Sequence, residues 1–291
     1  MRTVMAYAGR NLRLFARDPL GVFLALTGAM VVFLLYSLFL GQTQVDSLAS
    51  LPGVDRGQAR DFVDAWMFAG VVAVAAVTTP LAALSVFVED AASGRFRDFL
   101  VSPVRRAQLV LGYLGSAFVV GLVMTLLVLA VAVAYLAATG RTVPDAGSLS
   151  VIVGWTALSV AAYTALWAFV VSFLPTTGAF SGLSTLVGTL TGFVAGAYIP
   201  LGALPDTVRD GVAVLPFAQS AMLVRREFAA APLEALTRGA SPATSDLARV
   251  YGIDLTFGGG IVPVWVAAAV LASMVLVFTA LAVIRIRARI R

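Results

Sequence analysis

The 291-residue chain contains no cysteine, no histidine and no lysine, so all twenty of its basic residues are arginine. Without lysine it has no GxxxxGK[ST] loop for ATP phosphates and no Schiff-base site. Without histidine or cysteine it lacks the usual zinc and haem ligands and any serine–histidine hydrolase site. These absences disfavour an enzyme, and they exclude ATP binding through a P-loop.

Charge is also scarce, because charged residues make up 12% of the chain against 60% hydrophobic residues, with a mean hydropathy of +0.96. Soluble globular domains carry roughly twice that charged fraction. Long apolar stretches with so little charge are typical of helices that cross a bilayer. The composition therefore predicts an all-α membrane protein.

Six apolar stretches are each long enough, at roughly 20 residues, to cross about 30 Å of hydrocarbon. None carries an ionisable side chain near its middle, which disfavours a proton- or sodium-coupled carrier. We therefore predict one six-helix transmembrane domain over residues 20–291. The predicted spans are Leu20–Leu40, Trp66–Val88, Leu109–Ala138, Leu149–Leu174, Gly178–Ile199 and Val262–Ile284.

The distribution of arginine predicts the orientation of these spans. Residues 1–19, 89–108, 175–177 and 285–291 hold twelve Arg and four acidic residues, whereas the rest of the chain holds eight Arg and eleven acidic residues. Because positive charge is retained on the cytoplasmic side, both termini are predicted to be cytoplasmic (N-in, C-in). The same bias explains the net charge of +5 without nucleic-acid binding. The composition favours a bacterial cytoplasmic (inner) membrane.

Residues 1–19 are predicted to form an amphipathic helix on the cytoplasmic membrane surface, ended by Pro19 at the start of the first span. Apolar and basic side chains recur at spacings of three and four on two different faces. The apolar face holds Met5, Ala8, Leu12 and Phe15, and the basic face holds Arg10, Arg13 and Arg17.

The predicted cytoplasmic loop 89–108 contains a short amphipathic piece, RFRDFL, which Pro103 ends. Its apolar residues Phe96, Phe99 and Leu100 could seat in a groove of a partner protein. On the residues alone, the favoured alternative is an ordinary interfacial loop, anchored by Arg105 and Arg106.

The predicted outer segment 200–261 is half apolar at its start, and Pro200, Pro205 and Pro216 divide it into short pieces. We predict short re-entrant helices, because non-spanning backbone at membrane depth must be buried in protein or line a cavity. These prolines and Arg225 are predicted to shape an outer gate, with a purely structural role as the alternative. The later stretch GASPATSD is predicted to be a surface loop.

The fifth predicted span combines small residues with hydroxyl groups. Gly188, Gly192 and Gly196 follow a GxxxGxxxG pattern, which lets two helices approach closely, either between subunits or within one. Aromatic residues could contact an apolar cargo or form an interfacial belt, which is the more common use. The hydroxyls of interest are Ser181, Ser184, Thr185 and Thr189, and the aromatics are Trp66, Phe68, Phe193 and Tyr198.

Three motifs occur in order along essentially the whole chain. They are R-x-x-x-R-D-P before the first span, E-D-x-x-S-G-x-x-x-D-F-L-V-S-P-V-R-R followed by L-G-Y-L, and G-A-Y-I-P-L-G-A-L-P-D-x-V followed by L-P-F-A-x-S-A-x-L-x-R. Together they resemble ABC-2 type exporter permeases, most closely those of multidrug or small-molecule exporters.

The resemblance implies a permease that pairs with a second permease copy, as a homodimer or a heterodimer, and with two copies of a separate ATPase subunit. ATP and Mg would be bound by that partner, with no cofactor or metal in this chain. The N-terminal helix would lean on the ATPase. The implied ATPase-coupling residues are Glu89, Asp90, Gly94, Arg95, Phe96, Phe99, Leu100, Ser102, Pro103, Arg105 and Arg106.

In the arrangement that the resemblance implies, spans one, two and five line the substrate path, and spans one and five approach the partner copy. The expected activity is outward transport of a hydrophobic or amphipathic molecule, such as a drug, an antibiotic or a lipid-like compound. Alternatives are export of a polysaccharide or teichoic acid, an uncoupled channel, and a scaffold. The implied dimer seam and path hold Ser181, Ser184, Thr185, Gly188, Thr189, Gly192, Phe193, Gly196 and Tyr198.

Overall fold

The computed structural model describes residues 9–15, 17–94, 106–238 and 241–289. This part of the chain is built from helices, apart from one two-stranded antiparallel hairpin. Five of its helices are long and apolar enough to cross a membrane. The prediction of an all-α membrane protein is therefore confirmed.

The elements are numbered here in chain order. The helices are α1 (residues 9–15), α2 (Pro19–Leu35), α3 (Gly41–Ala49), α4 (Arg56–Ala83), α5 (Ser85–Ala92), α6 (Arg106–Ala138), α7 (Ala146–Val171), α8 (Thr177–Val194), α9 (Asp206–Val214), α10 (Pro216–Thr237), α11 (Ser241–Val250) and α12 (Val264–Arg289). A π-helical turn, Tyr36–Leu40, joins α2 to α3, and Leu201–Ala203 form a 3₁₀ turn. The hairpin pairs β1 (Thr256–Phe257) with β2 (Gly260–Ile261).

The first two spans are longer than the apolar runs predicted. The first helix continues beyond Leu40 through the π-helical turn to Ala49. The second begins at Arg56 instead of Trp66, because the Asp55 side chain caps it by accepting from the backbone N–H groups of Gly57 and Gln58. Capping and ion pairing extend these helices into polar sequence that hydropathy alone assigns to loops.

The fifth predicted span corresponds to α8, which is 18 residues long. Its serines, threonines and glycines lower its hydropathy, and it is not among the five candidate spans found in the described residues. The count of six spans and the N-in, C-in orientation therefore stay predictions. We use "inner end" for the end of the bundle at Asp18 and Asp90, and "outer end" for the opposite end at Tyr36 and Arg225.

The outer segment is divided at its prolines, as predicted. Pro205 directly precedes α9 and Pro216 is the first residue of α10, where its missing N–H costs nothing. However, α10 is a full 22 residues long. The prediction of a surface loop around GASPATSD was wrong, because α11 begins at Ser241. The turn-forming residues of this stretch lie at the start of a helix, and their composition alone does not distinguish a helix start from a loop.

Helix α4 lies at the centre of the bundle and contacts α2, α6, α7 and α10. In its span, 83% of the most apolar stretch is buried within the protein, against 22% for α12, which packs mainly on α7. Helix α10 packs along α4 rather than extending into solvent. The outer segment is therefore an integral part of the core.

Candidate functional site

A groove of about 1140 Å³ runs along the bundle between α2 and α8 and is closed at the back by the end of α4 and by α5. Its inner end is lined by Asp18, Glu89 and Asp90, and its outer end by Phe193 and Tyr198. The lining between them is mostly apolar. The groove thus brings together residues of the three spans expected to form a path.

One face of α8 supplies the polar part of this lining through Ser181, Ser184, Thr185 and Thr189. The Ser181, Thr185 and Thr189 hydroxyls each donate to the backbone carbonyl four residues earlier, at 2.9 to 3.1 Å. Their donor capacity is therefore used locally, and their oxygens present weak acceptors to the groove. Ser184 differs, because its buried hydroxyl has no hydrogen-bond partner in the described residues and can donate as well as accept.

The three glycines of the predicted ridge do not lie on one continuous helical stripe. Gly188 borders the groove, and a Cβ there would meet open space. A Cβ at Gly192 would overlap the Tyr198 ring, and Gly196 lies beyond the helix end with φ of +64°. Packing within one chain therefore accounts for Gly192 and Gly196, whereas Gly188 is free to face a cargo or a second subunit.

The four candidate aromatics separate into two pairs. Phe193 is 51% exposed and forms an edge-to-face contact with Tyr198, at a ring-centroid distance of 4.8 Å. Trp66 and Phe68 are 1% and 2% exposed, inside the bundle. They therefore contact neither the groove nor an interfacial belt, because α4 is central.

At the inner end, a polar cluster ties the N-terminal helix to the start of the predicted coupling loop. Asp90 is fully buried, and its two carboxylate oxygens accept from Nη1 and Nη2 of Arg10, at 2.7 and 3.0 Å. Tyr113 donates its hydroxyl to the same carboxylate. Asn11 donates to Ser116 of α6 at 3.2 Å. The hydrogen bonds to the carboxylate raise the pKa of Arg10 above its ordinary value.

The structure describes only some of the other residues that are predicted to lie at the cytoplasmic surface. Arg13 and Arg17 are exposed, whereas Leu12 and Phe15 pack against the core, as the amphipathic pattern predicts. Gly94 ends the described part of the loop with φ of +76°. Of the coupling residues, Arg95, Phe96, Phe99, Leu100, Ser102, Pro103 and Arg105 lie outside the described residues, and Arg106 begins α6.

At the outer end, Arg225 of α10 is fully buried instead of lying on the surface. Its Nη2 donates to the backbone carbonyls of Ala195 and Gly196, both at 2.7 Å, and its Cζ lies 5.4 Å from the centre of the Trp66 ring. Burial lowers the pKa of Arg225 to about 10, so the side chain stays charged at neutral pH. Of the gate prolines, Pro200 is buried, Pro205 is exposed and Pro216 is half-buried.

Several hydrogen bonds made near this site were not predicted by any sequence pattern. The Tyr36 hydroxyl donates to the Tyr198 carbonyl at 2.9 Å, and the Trp66 indole donates to the Tyr251 carbonyl at 2.7 Å. Each contact joins residues more than 150 positions apart. Tyr113 belongs to the L-G-Y-L motif, but nothing in that motif indicated that its hydroxyl would bind an acidic side chain.

Comparison with known proteins gives the family. The profile of the family described as "ABC-2 family transporter protein" matches residues 42–284, which is most of the chain. No curated protein matches the sequence. The matched region includes Asp90, Arg225 and the α8 wall of the groove, whereas the wall formed by α1 and α2 precedes it. The chain therefore belongs to the ABC-2 family, as a multi-pass membrane permease of an ABC transporter.

Proposed function

We propose that this permease exports a hydrophobic or amphipathic small molecule across the bacterial cytoplasmic membrane, driven by ATP hydrolysis in a separate ATPase subunit. The observation that carries the proposal is the groove between α2 and α8. Its volume of about 1140 Å³ exceeds the roughly 300–1,000 Å³ typical of small-molecule sites, so it can hold a drug-sized molecule with room to spare.

The charges of the groove narrow the cargo further. Asp18 and Glu89 line its inner end beside Asp90, whose charge is neutralised by Arg10, and no arginine is found among the described lining residues. An anionic cargo would meet like charge as it came in from the cytoplasm, whereas a neutral or cationic amphiphile would not. The apolar middle of the groove favours a cargo with an extended hydrophobic part.

The inner polar cluster supports coupling to a partner. Asp90 lies on α5, four residues before the last described residue of the coupling loop, and it holds α1 through Arg10. A force on either cytoplasmic element would therefore reach the other and the groove wall beside it. We propose that two ATPase subunits, which bind ATP and Mg, act on these elements in a complex with a second permease copy.

The partner is tested by affinity purification of the tagged chain from its native membrane, followed by mass spectrometry. We expect a stoichiometric ATPase that is lost when Phe99 or Leu100 is replaced by Asp. Purification without an ATPase, under detergent conditions that keep other complexes whole, would favour an uncoupled channel or a scaffold.

The path is tested with the complex in inside-out vesicles, by ATP-dependent uptake of a lipophilic fluorescent dye. Thr185→Trp should fill the groove and abolish uptake, while basal ATP hydrolysis is kept. Leu186→Trp is the matched control, because Leu186 lies on the same helix, is 56% exposed and does not line the groove. Equal effects of both variants, or uptake of polysaccharide instead of dye, would contradict the proposal.

A further inference from the structure

The Arg225 side chain is a buried cation whose charge is balanced without a carboxylate. It is fully buried, and in the described part of the chain no acidic residue forms an ion pair with it. Its Nε and Nη1 atoms have no hydrogen-bond partner there. An isolated buried charge is very unfavourable, so whatever compensates it must be held firmly in place.

The compensation comes from the end of a helix and from an aromatic face. The Ala195 and Gly196 carbonyls that accept from Nη2 follow directly after α8, whose last residue is Val194. Unpaired carbonyls at a helix C-terminus carry partial negative charge. The Trp66 ring adds a cation–π contact from α4. The guanidinium therefore connects the outer helix α10, the central helix α4 and the groove helix α8.

The surrounding backbone is shaped for this side chain. A Cβ at Gly252 would lie 3.2 Å from Nη1, one at Gly196 would lie 3.4 Å from it, and one at Gly70 would lie 3.6 Å from Nη2. Gly196 and Gly252 both have positive φ, at +64° and +65°. Three separate segments thus approach the guanidinium with bare backbone and restrict where it can lie. The same glycines also leave room for Leu201 and Ala197, which lie closer to the added Cβ positions.

We propose that Arg225 is the latch of the outer gate: it holds the C-terminal end of α8 against α10 and so limits how far the outer end of the groove can open. This inference rests on the proposed transport function. Because the hydrogen bonds of the guanidinium in the described part of the chain go only to these two carbonyls, a shift of the α8 end would break them. The end of α8 is either docked on Arg225 or released together with access of water to the guanidinium, which gives the gate two discrete states.

The chain's lack of cysteine allows a direct test in proteoliposomes. Thr189→Cys places one thiol in the outer half of the groove, and its labelling by a membrane-impermeant maleimide from the outer side is measured without nucleotide. We expect Arg225→Gln to speed labelling at least about tenfold, the change that corresponds to about 1.4 kcal/mol in the closed-to-open equilibrium. Arg226→Gln, on the adjacent residue that pairs with Asp254, should leave the rate unchanged.

A second thiol separates a latch from general loosening. Thr27→Cys lies in the groove on α2 and is labelled from the inner side. An unchanged inner rate beside a faster outer rate supports the latch, whereas equal acceleration of both would overturn it. If Arg225→Gln does not reach the membrane, Arg225→Lys decides, because lysine keeps the charge but lacks the planar fork. Faster outer labelling supports the proposal, and the parental rate refutes it.

The labelling needs neither ATP nor cargo. A failed export assay would therefore count against the proposed function and leave the latch intact. Conversely, unchanged labelling in a complex that exports dye normally would count against the latch alone.

Discussion

The two ends of the groove hold a buried charge by opposite means. At the inner end, the Asp90 carboxylate is fully buried and is met by the Arg10 guanidinium, whose side chain is 32% exposed, and by the Tyr113 hydroxyl. At the outer end, Arg225 is fully buried and is met by backbone carbonyls and the Trp66 ring. The inner charge is neutralised by a side chain that can partly return to water. The outer charge is compensated by backbone carbonyls whose position is set by the end of α8.

This difference bears on how each end can move. A side-chain pair can follow small shifts of its helices by changing rotamer, so the α1–α5 contact at the inner end can persist while the helices move. Carbonyls after α8 cannot follow independently of α8. The inner end is therefore suited to transmit a displacement, and the outer end to resist one until it is released.

The largest expected effect is at the outer end. Arg225→Ala should lower the free energy of unfolding by about 3–5 kcal/mol, because it removes a large, fully buried side chain and leaves two carbonyls without a donor. Arg226→Ala is the control, since the Arg226–Asp254 pair is partly exposed and worth at most about 1 kcal/mol. Chemical unfolding of the purified protein in detergent measures both. Similar losses of unfolding free energy for the two variants would contradict the greater role of the buried arginine.

At the inner end, Asp90→Ala should cost about 1.5–3 kcal/mol, because the buried Tyr113 hydroxyl loses its charged acceptor. Arg10→Gln should cost at least as much, because it leaves the fully buried Asp90 carboxylate without its ion pair. The matched control is Asp46→Ala, since the Asp46–Arg56 pair is 53% and 60% exposed. The same unfolding series orders the variants. If Asp46→Ala lost as much stability as Asp90→Ala, burial would not determine the size of the effect.

The glycines of α8 sharpen the comparison between the outer end and the middle of the groove. Gly192→Ala should destabilise by about 1–3 kcal/mol through overlap with the Tyr198 ring. Gly188→Ala should be neutral or slightly stabilising, because a Cβ there meets open space and alanine favours helix. Thermal unfolding of the single variants and of the Gly192→Ala, Tyr198→Ala double variant forms the test. The double variant should recover part of the loss, and strictly additive losses would contradict the overlap.

The smallest expected change is in the middle of the groove. Thr185→Val should alter stability by no more than about 0.5 kcal/mol, because the hydroxyl bonds only to its own helix and the side chain is exposed. Thr125→Val is the comparison, since its buried hydroxyl lies 3.1 Å from that of Thr79 on the neighbouring helix. It should cost about 1 kcal/mol or more. A clear loss of stability at Thr185, measured by unfolding, would assign the groove face a structural role.

Local chemistry predicted much of the fold. Pro19 and Pro216 start helices at the predicted places, since proline is tolerated in the first turn. The predicted limits of spans three, four and six agree with α6, α7 and α12 to within a few residues. Ser181, Thr185 and Thr189 were identified as hydroxyls beside the glycine pattern, and the resemblance assigned them to the path; in the structure they line the groove. Where prediction failed, at Arg56 and Ser241, a helix began in polar sequence that only capping or tertiary packing makes helical.

The candidate site was predictable only in part. Arg10, Asp90 and Arg225 were each identified, but nothing in the sequence paired Arg10 with Asp90 across 80 residues or buried Arg225 beside Trp66. Such contacts depend on which helices become neighbours. Periodicity describes one helix at a time, so it gives the face of a residue without giving the residue opposite.

By itself the sequence determined that this chain is a helical membrane permease of the ABC-2 family, because bilayer hydrocarbon selects long apolar helices and the motifs identify the family. Only the tertiary structure decided which helix is central. The α4 and α12 spans have similar hydropathy, at 2.3 and 2.6, yet 83% of one and 22% of the other is buried within the protein. Lipid tails are as apolar as a protein interior, so hydropathy cannot separate the two environments. The groove and its two charged ends arise from that arrangement.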